Sequence, residues 1–394
     1  MIRDTNDLEL YIHIPFCKRK CQYCDFLSAE ANARQIAEYM RALREEMLMW
    51  APAAAGHKVT SVFIGGGTPS ILPTGEVEAL MDTIHKNYHL TQEAEITIEA
   101  NPGTVSLESL KAYHAKGINR ISLGLQSTDN ELLKKLGRIH SYEDFLNAFQ
   151  AARMAGFRNI NVDLISGIPG QSLSDWEKTL KQVTMLRPEH ISAYGLIIEP
   201  GTPFYNKYAA DEERREAGYE PMFLPTEEEE RKMYQLTKSF LASKGYHRYE
   251  ISNYAKNGRE CAHNLGYWQR KEYLGFGLGA ASLFKETRWS NTRELKEYIN
   301  QIARKQFPLE EESLEELSDN AQMEEYMFLG LRMMQGIRRD DFEKCFGHTI
   351  EGIYGDLLNR LSKEELLELE EGRIRLTDKG IDISNYVFSQ FLID

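Results

Sequence analysis

The chain has 394 residues, of which 42% are hydrophobic, and it carries a formal net charge of −13 at neutral pH. Its length allows two or three domains with large apolar cores, and its acidic balance argues against a nucleic-acid partner, which requires clustered Lys and Arg. Five cysteines in no paired pattern, no secretory signal and no apolar run of membrane length predict a reduced, cytoplasmic protein that is not an integral membrane protein.

Apolar, β-rich runs alternate with amphipathic helical patterns through the first half of the chain. The predicted strands are residues 8–14, 58–64, 94–100, 119–125, 159–166 and 190–197. The predicted helices are residues 33–50, 75–88, 106–116, 142–155 and 172–186. Consecutive β-α units predict a parallel sheet with right-handed crossovers, and such sheets bind ligands at the carboxyl ends of their strands.

Three cysteines, Cys17, Cys21 and Cys24, follow the first predicted strand, and no fourth cysteine lies near them in the sequence. Four thiolates would close an iron-sulfur cluster or a structural zinc site, whereas three leave one metal position open to an outside ligand. The spacing also permits a zinc site completed by His13, although zinc favours paired cysteines. An open iron favours chemistry on a bound small molecule.

The later strands also end in, or contain, unusual polar or glycine-rich segments. These segments are Gly65-Gly-Gly-Thr-Pro69, Glu99-Ala-Asn-Pro102, Gln126-Ser-Thr, Asp163 and Gly167-Ile-Pro-Gly170. Taken singly, the glycines fit a tight turn, and Glu99 fits either a turn cap or an ammonium ligand. Asp163 is the most suggestive, because a carboxylate in a buried strand requires a partner. Their common placement predicts one ligand site at this edge of the sheet.

The β-α alternation ends near Pro200. The charged stretch from Asp211 to Pro225 is interpreted as a linker or surface loop, and it precedes a predicted helix over 226–244 and a strand over 249–254. The glycine-rich segment 275–280 is interpreted as a packing turn. From about residue 318 the tail is predicted to be helical with a short strand over 374–377, an order that resembles a winged-helix module, but its acidic character argues against DNA binding.

The pattern Tyr11-Ile-His-Ile-Pro-Phe-Cys-x3-Cys-x2-Cys, followed by Gly-Gly-Gly-Thr-Pro, resembles the radical S-adenosylmethionine superfamily. Within it, the chain is similar to the branch of oxygen-independent coproporphyrinogen III oxidases and HemW-type heme chaperones. The resemblance covers nearly the whole chain and implies a partial (β/α)6 TIM-like barrel, an α+β extension and a C-terminal helical, winged-helix-like module. We place these domains at residues 1–205, 206–315 and 316–394.

The resemblance implies a [4Fe-4S] cluster held by the three cysteines, with S-adenosylmethionine on the fourth iron. The residues that it assigns to S-adenosylmethionine are Tyr11, Gly66, Gly67, Thr68, Glu99, Gln126, Arg138 and Asp163. Glu99 would take the ammonium group, and carboxylates on an ammonium and on ribose hydroxyls are chemically sensible partners. Tyr23 is placed against the adenine, although its ring also suits packing of the loop.

Two departures separate the chain from the decarboxylating oxidase. The oxidase has a further cysteine where this chain has Phe26, and a longer segment than the ten residues that precede Tyr11. The segment His263-Asn-x-x-Tyr267-Trp268 resembles the HNxxYW motif of the HemW branch, which implies heme binding. Imidazole ligates heme iron and the two rings offer flat apolar surface, while Cys261 is the competing axial ligand.

The predicted function is that of a heme chaperone that binds heme and transfers it to an acceptor hemoprotein, such as a respiratory one. The alternative from the same resemblance is oxidative decarboxylation by an oxygen-independent coproporphyrinogen III oxidase, and a third is a zinc-stabilised binding protein. No catalytic residue is assigned. The basic run Lys18-Arg-Lys20 fits either a solvated loop or a docking site for an acidic electron donor, flavodoxin or ferredoxin.

Overall fold

The computed structural model describes residues 6–393, and six parallel strands in sequence order form its centre. The strands are Asp7–Ile14 (β1), Lys58–Gly66 (β2), Leu90–Ala100 (β3), Arg120–Gln126 (β4), Ile160–Ser166 (β5) and His190–Gly195 (β6). The helices that follow them are Ala33–Ala54 (α1), Thr74–Asn87 (α2), Leu107–Ala115 (α3), Asn130–Leu136 (α4), Tyr142–Ala155 (α5) and Leu173–Met185 (α6). The predicted α/β class is confirmed, and α4 is an addition to the predicted helices.

Residues 203–316 add further helices and short strands. The helices are Pro203–Glu216 (α7), Glu227–Ser243 (α8), Ala262–Trp268 (α9) and Leu295–Ala303 (α10). The strands are His247–Arg248 (β7), Asn253–Ala255 (β8), Glu272–Phe276 (β9), Ala281–Phe284 (β10), Thr287–Ser290 (β11) and Glu315–Glu316 (β12). Two short 3-10 helices lie at Pro69–Ile71 and Glu311–Ser313.

The linker interpretation of the charged stretch after Asp211 is wrong for its first half, which belongs to helix α7. Thr202 caps this helix, and its apolar side is formed by Phe204 and Tyr208, which are buried in a cluster with β5. The carboxylate of Asp211 accepts backbone hydrogen bonds from Met222, Phe223 and Leu224, so it holds the returning loop against the helix. Of the charged residues that suggested a linker, Glu213, Arg214 and Glu216 are exposed on this helix, whereas Asp211 is buried.

One sheet of twelve strands contains the barrel, in the order β12-β11-β10-β9-β1-β2-β3-β4-β5-β6-β8-β7. Pairing is parallel from β9 through β1 to β6, and antiparallel in the flanking strands. Since β12 and β7 lie at opposite ends of this order, the barrel is open and the prediction of a partial barrel is confirmed. The strands after residue 205 continue the barrel sheet on both sides.

Side chains along β1 alternate between two buried environments. Leu8, Leu10 and Ile12 belong to the apolar core, whereas Glu9 and Tyr11 point to the opposite face of the sheet because successive residues of a strand alternate. That second face is the barrel interior, where the ring of Tyr11 packs on Phe63 of β2 and His263 of α9. The barrel is therefore apolar outside, under its helices, and polar inside.

The helices that surround the barrel begin at well-formed caps. The side chain of each capping residue accepts a hydrogen bond from the backbone N–H three residues later, and its own backbone N–H donates to the side chain of that later residue, which completes a capping box; the capping residues are Asn32, Ser106, Ser141, Ser172 and Thr226. Such caps satisfy amide groups that have no partner within the helix. They fix the residue at which each helix begins, and therefore the point at which the preceding loop enters that helix.

The C-terminal module has its own apolar core. Its helices are Asp319–Gly330 (α11), Arg339–Phe346 (α12), Ile350–Lys363 (α13), Asp378–Asp382 (α14) and Ser384–Ser389 (α15). Its strands, Ile337–Arg338 (β13), Leu367–Glu370 (β14) and Arg373–Leu376 (β15), form a sheet in the order β13-β15-β14. Among residues 6–393, no helix combines the length and apolar character required to cross a bilayer.

Candidate cofactor site

The three cysteines share the loop after β1. The ends of this loop are tied together, because Cys17 N donates to Ala29 O and Ala29 N donates to Pro15 O, both at 3.0 Å. Its middle is held from outside by a backbone hydrogen bond from Gln22 N to Leu136 O at 3.1 Å. All three thiols are half-buried and free of disulfides. The fold thus presents three sulfur donors on a constrained loop.

The glycine-rich turn after β2 packs directly against this loop. Gly67 N donates to Ile14 O and Thr68 N donates to Phe16 O, both at 2.8 Å. A Cβ atom at Gly67 would lie 2.7 Å from Phe16 O and 3.0 Å from Cys17 Sγ, so a larger residue would displace the cysteine loop. Glycine at this position therefore permits the close approach of two loops that carry predicted ligand-binding residues.

Glu99 is the penultimate residue of β3 and lies beside the same turn, and its Oε2 accepts a hydrogen bond from Gly66 N at 3.0 Å. Burial, followed by repulsion from Asp163, raises the pKa of Glu99 to about 8. A nearby cation would favour the ionised carboxylate and lower that pKa again. The side chain suits the ammonium group of a ligand.

The remaining residues assigned to S-adenosylmethionine lie on β4 and β5 and on the loop after α4. Asp163 accepts hydrogen bonds from Ser122 Oγ at 2.7 Å and Asn161 Nδ2 at 2.8 Å, and burial raises its pKa. Arg138 approaches the cysteine loop, with Nη1 at 3.5 Å from Cys21 Sγ. Gln126 has a φ of 73°, an unusual value for a residue with a side chain.

The structure gathers most of the predicted residues at the carboxyl ends of the strands. The gathered residues are Cys17, Cys21, Cys24, Gly66, Gly67, Thr68, Glu99, Gln126, Arg138 and Asp163. Tyr11 lies deeper, within β1, where its hydroxyl is 3.0 Å from His13 Nδ1. Tyr23 packs against Phe204 of α7, with ring centroids 6.4 Å apart, and this contact matches the packing alternative for its ring.

The HNxxYW segment lies on α9, at the opposite end of the barrel from the gathered residues, and its His263 packs on the ring of Tyr11. The amides of Ala262 and His263 at the start of α9 donate to Glu95 Oε1, at 3.0 and 3.5 Å. A Cβ atom at Gly266 would fall 2.0 Å from Glu9 Oε1, so α9 contacts the barrel interior closely. Helix α9 therefore covers the end of the barrel opposite to the carboxyl ends of the strands, and we call this helix the barrel floor.

His263 is only 1% exposed, and both of its ring nitrogens have partners. Nδ1 lies 2.8 Å from Ser61 Oγ, and Nε2 lies 3.0 Å from the hydroxyl of Tyr267. Burial, followed by repulsion from Arg120, lowers the pKa of His263 to about 3, so the ring is neutral at pH 7. In this conformation neither nitrogen is open to a heme iron, because each is engaged by a neighbouring hydroxyl group.

The neighbours of His263 are also engaged. The indole of Trp268 packs under the guanidinium of Arg332, with the cation 4.3 Å from the ring centroid. Cys261 is fully buried, and burial raises the pKa of its thiol. A thiol that resists ionisation is a poor iron ligand, because the thiolate is the form that binds metals. Neither of the two candidate axial ligands, His263 or Cys261, is accessible to iron in this conformation.

Sequence reasoning missed Asn101, whose side chain joins two of the site loops. It donates from Nδ2 to Thr68 Oγ1 at 2.8 Å and accepts a hydrogen bond from Arg138. The signal was present in the Glu99-Ala-Asn-Pro102 segment, but nothing in the sequence distinguished a side-chain role from a turn role. Ser122 and Asn161, the partners of Asp163, were missed for the same reason.

Two family models match the chain: the radical SAM superfamily over residues 11–183 and the HemN C-terminal domain over residues 317–383. The heme chaperone HemW of Bacillus subtilis is 38% identical over 97% of this chain and 98% of its own length. The HemW of Lactococcus lactis is 37% identical over 98% and 97%. The chain belongs to the HemW family of radical SAM proteins. Radical SAM membership carries a [4Fe-4S] cluster and S-adenosylmethionine, as predicted.

The two proteins of Escherichia coli separate the HemW family from the oxidase. Its coproporphyrinogen III oxidase HemN has a solved structure that matches this chain with a TM-score of 0.83 over 98% of this chain and 90% of that one, at 26% identity. Its HemW is 40% identical over 69% of each chain. This chain thus shares its fold with the oxidase, while its sequence is more similar to that of the chaperone.

Proposed function

We propose that this protein is a heme chaperone, which binds heme and transfers it to an acceptor hemoprotein. The observation that carries the proposal is the nearly full-length similarity to HemW proteins, at 37% and 38% identity. Phe26, which is 67% exposed, also stands where the resemblance places a further cysteine of the oxidase. Oxidative decarboxylation remains the second candidate, supported by the shared fold.

The experiment that separates the two functions is anaerobic and uses the reconstituted full chain. Incubation with heme and a heme-free acceptor hemoprotein is expected to restore the acceptor's absorption spectrum. Incubation with dithionite, S-adenosylmethionine and coproporphyrinogen III is expected to give no protoporphyrinogen. Formation of protoporphyrinogen without heme transfer would establish the oxidase instead.

We place the cluster on Cys17, Cys21 and Cys24. We place S-adenosylmethionine against the glycine turn, Glu99, Gln126 of β4 and Asp163 of β5. When bound together, these two groups supply low-potential one-electron chemistry. The chain's own contribution is to hold the three thiols on a tied loop and to present a buried carboxylate beside Gly66 N.

Glu99→Gln is expected to weaken S-adenosylmethionine binding roughly 10- to 100-fold, the cost of losing one charge-assisted hydrogen bond. Because the pKa of Glu99 is about 8 in the free protein, the carboxyl is mostly protonated at pH 7. Binding to an ammonium requires the carboxylate, so binding releases a proton and strengthens as pH rises toward 8. Calorimetry in buffers of different ionisation enthalpy measures this release, which Glu99→Gln should abolish; equal release in both proteins would contradict the assignment.

His263→Ala is expected to remove most of the heme absorption change on hemin titration while leaving iron and sulfide content unchanged. The physical reason is the loss of the imidazole that the HNxxYW motif offers to iron. The exposed residue His348 provides a matched control, since His348→Ala removes a solvent-exposed imidazole that is not part of α9. A full heme spectrum in His263→Ala would assign the ligand to another residue.

The electron donor is proposed to be an acidic protein, flavodoxin or ferredoxin, that docks on Lys18, Arg19 and Lys20. These side chains are exposed beside the cysteines. The double change Lys18→Glu and Lys20→Glu is expected to slow cluster reduction by the donor, most strongly at low salt, because screening weakens such steering. The matched control is Lys86→Glu with Lys111→Glu on exposed helical sites. A rate that is equal in both double variants would remove the docking site.

A further inference from the structure

The side chain of Asn101 lies between groups that contact two different cluster cysteines. On one side, its Nδ2 is 2.8 Å from Thr68 Oγ1, which is 3.4 Å from Cys17 Sγ. On the other side, its Oδ1 accepts a hydrogen bond from Arg138 Nη2, while Arg138 Nη1 is 3.5 Å from Cys21 Sγ. A continuous path of polar contacts therefore joins the two sulfur atoms through one amide.

The chemistry of these groups fixes the direction of each hydrogen bond. A guanidinium has only donors, so the atom that faces Arg138 must be the amide oxygen of Asn101. The amide nitrogen then faces Thr68 and donates to its hydroxyl oxygen. Because that oxygen already accepts, the single hydroxyl proton of Thr68 is free for Cys17 Sγ. Both ends of the path thus donate toward sulfur.

The absence of a side chain at Gly124 leaves room for the hydrogen bond between Asn101 and Arg138. A Cβ atom at Gly124, inside β4, would lie 2.8 Å from Asn101 Oδ1 and 2.9 Å from Arg138 Nη2. Gly124 O also accepts from Arg138 Nη2 at 2.6 Å. The Asn101 backbone is held in turn, since its N donates to Ser70 Oγ at 3.3 Å and its O accepts from Thr104 N at 3.1 Å. The amide is fixed in position and in orientation.

We propose that Asn101 is a positioning residue that directs the Thr68 hydroxyl and the Arg138 guanidinium onto the sulfur atoms of Cys17 and Cys21, and thereby raises the reduction potential of the cluster. Hydrogen bonds and positive charge at cluster sulfurs favour the reduced state, which carries one more negative charge. The proposal rests on the cluster of the proposed function. It adds the residue that tunes that cluster's potential.

The decisive variant is Asn101→Asp, which keeps the shape of the side chain but removes its donor. A carboxylate accepts from Arg138 and also from the Thr68 hydroxyl, so Thr68 no longer donates to Cys17. At a fixed solution potential, the ratio of reduced to oxidised cluster is expected to fall roughly tenfold, which corresponds to about 59 mV for one electron. An anaerobic redox titration followed by electron paramagnetic resonance measures the ratio.

Three further variants make the result specific. Thr68→Val removes only the hydroxyl and should shift the potential in the same direction, whereas Thr68→Ser should restore the parent value. Asn300→Asp adds a negative charge at an exposed helical site and should change nothing. Unchanged potentials in Asn101→Asp and Thr68→Val with full iron content would overturn the proposal; if Asn101→Asp loses the cluster, Thr68→Val alone decides. Hemin titration of the same variants reports separately on the chaperone function.

Discussion

Cys17→Ser, Cys21→Ser and Cys24→Ser are each expected to reduce the iron and sulfide content of the anaerobically reconstituted protein to background. A three-cysteine site has no spare thiolate, and a serine hydroxyl is a poor substitute because it does not ionise near neutral pH. The described part of the chain places the other two cysteines elsewhere, with Cys261 buried and Cys345 exposed. Iron and sulfide analysis, together with the visible absorption of the cluster, measures the loss.

Cys345→Ser is the matched control for this prediction, because it removes an exposed thiol in the C-terminal module and should leave the cluster intact. A cluster retained by Cys17→Ser, or lost equally in Cys345→Ser, would contradict the assignment of three ligands. A colourless parent protein that binds zinc would support the third functional alternative. The same samples therefore test the ligands and the metal.

The barrel could be predicted from sequence because its local signals agree with its tertiary structure. Along strand β1, the apolar residues Leu8 and Leu10 alternate with Glu9 and Tyr11, as expected for a strand with two different faces. Capping residues such as Ser141 lie at the starts of the helices. Helix α7 was missed because its charged side dominates the pattern from Asp211 onward, although Phe204 and Tyr208 are spaced four residues apart, as one helix face requires. The charged residues from Asp211 onward indicated a loop more strongly than these two apolar residues indicated a helix.

The candidate site could be predicted only where a residue type signals its own chemistry. The cysteines and the glycine turn are recognisable alone, but the role of Asn101 depends on Arg138 and Thr68, which are distant in sequence. For His263 the sequence misleads in the other direction, because its motif suggests an accessible iron ligand. In the fold, the ring is enclosed between Ser61 and Tyr267. Local sequence patterns do not reveal contacts between side chains that are distant in the sequence.

Gly266→Ala is expected to destabilise the barrel by about 1–3 kcal/mol, the usual cost of overpacking a buried site. The added methyl group would meet the buried carboxyl of Glu9 at 2.0 Å from Oε1 and 2.2 Å from Cδ. Alanine normally stabilises a helix relative to glycine by about 0.5–1 kcal/mol, so the expected sign is opposite to the helix propensity. Urea unfolding followed by circular dichroism measures the difference in unfolding free energy.

Gly75→Ala on α2 is the matched control, because no atom lies within 4 Å of its added Cβ, and it should be neutral or stabilising. Glu9→Ala removes the colliding carboxyl, so the double variant should recover much of the stability lost by Gly266→Ala, and the cycle isolates the contact. If Gly266→Ala is as stable as Gly75→Ala, the Glu9 carboxyl moves aside at little cost and does not pack tightly on Gly266. If it is destabilised and also binds heme more readily, opening of this floor exposes His263, which joins the structural role of α9 to heme binding.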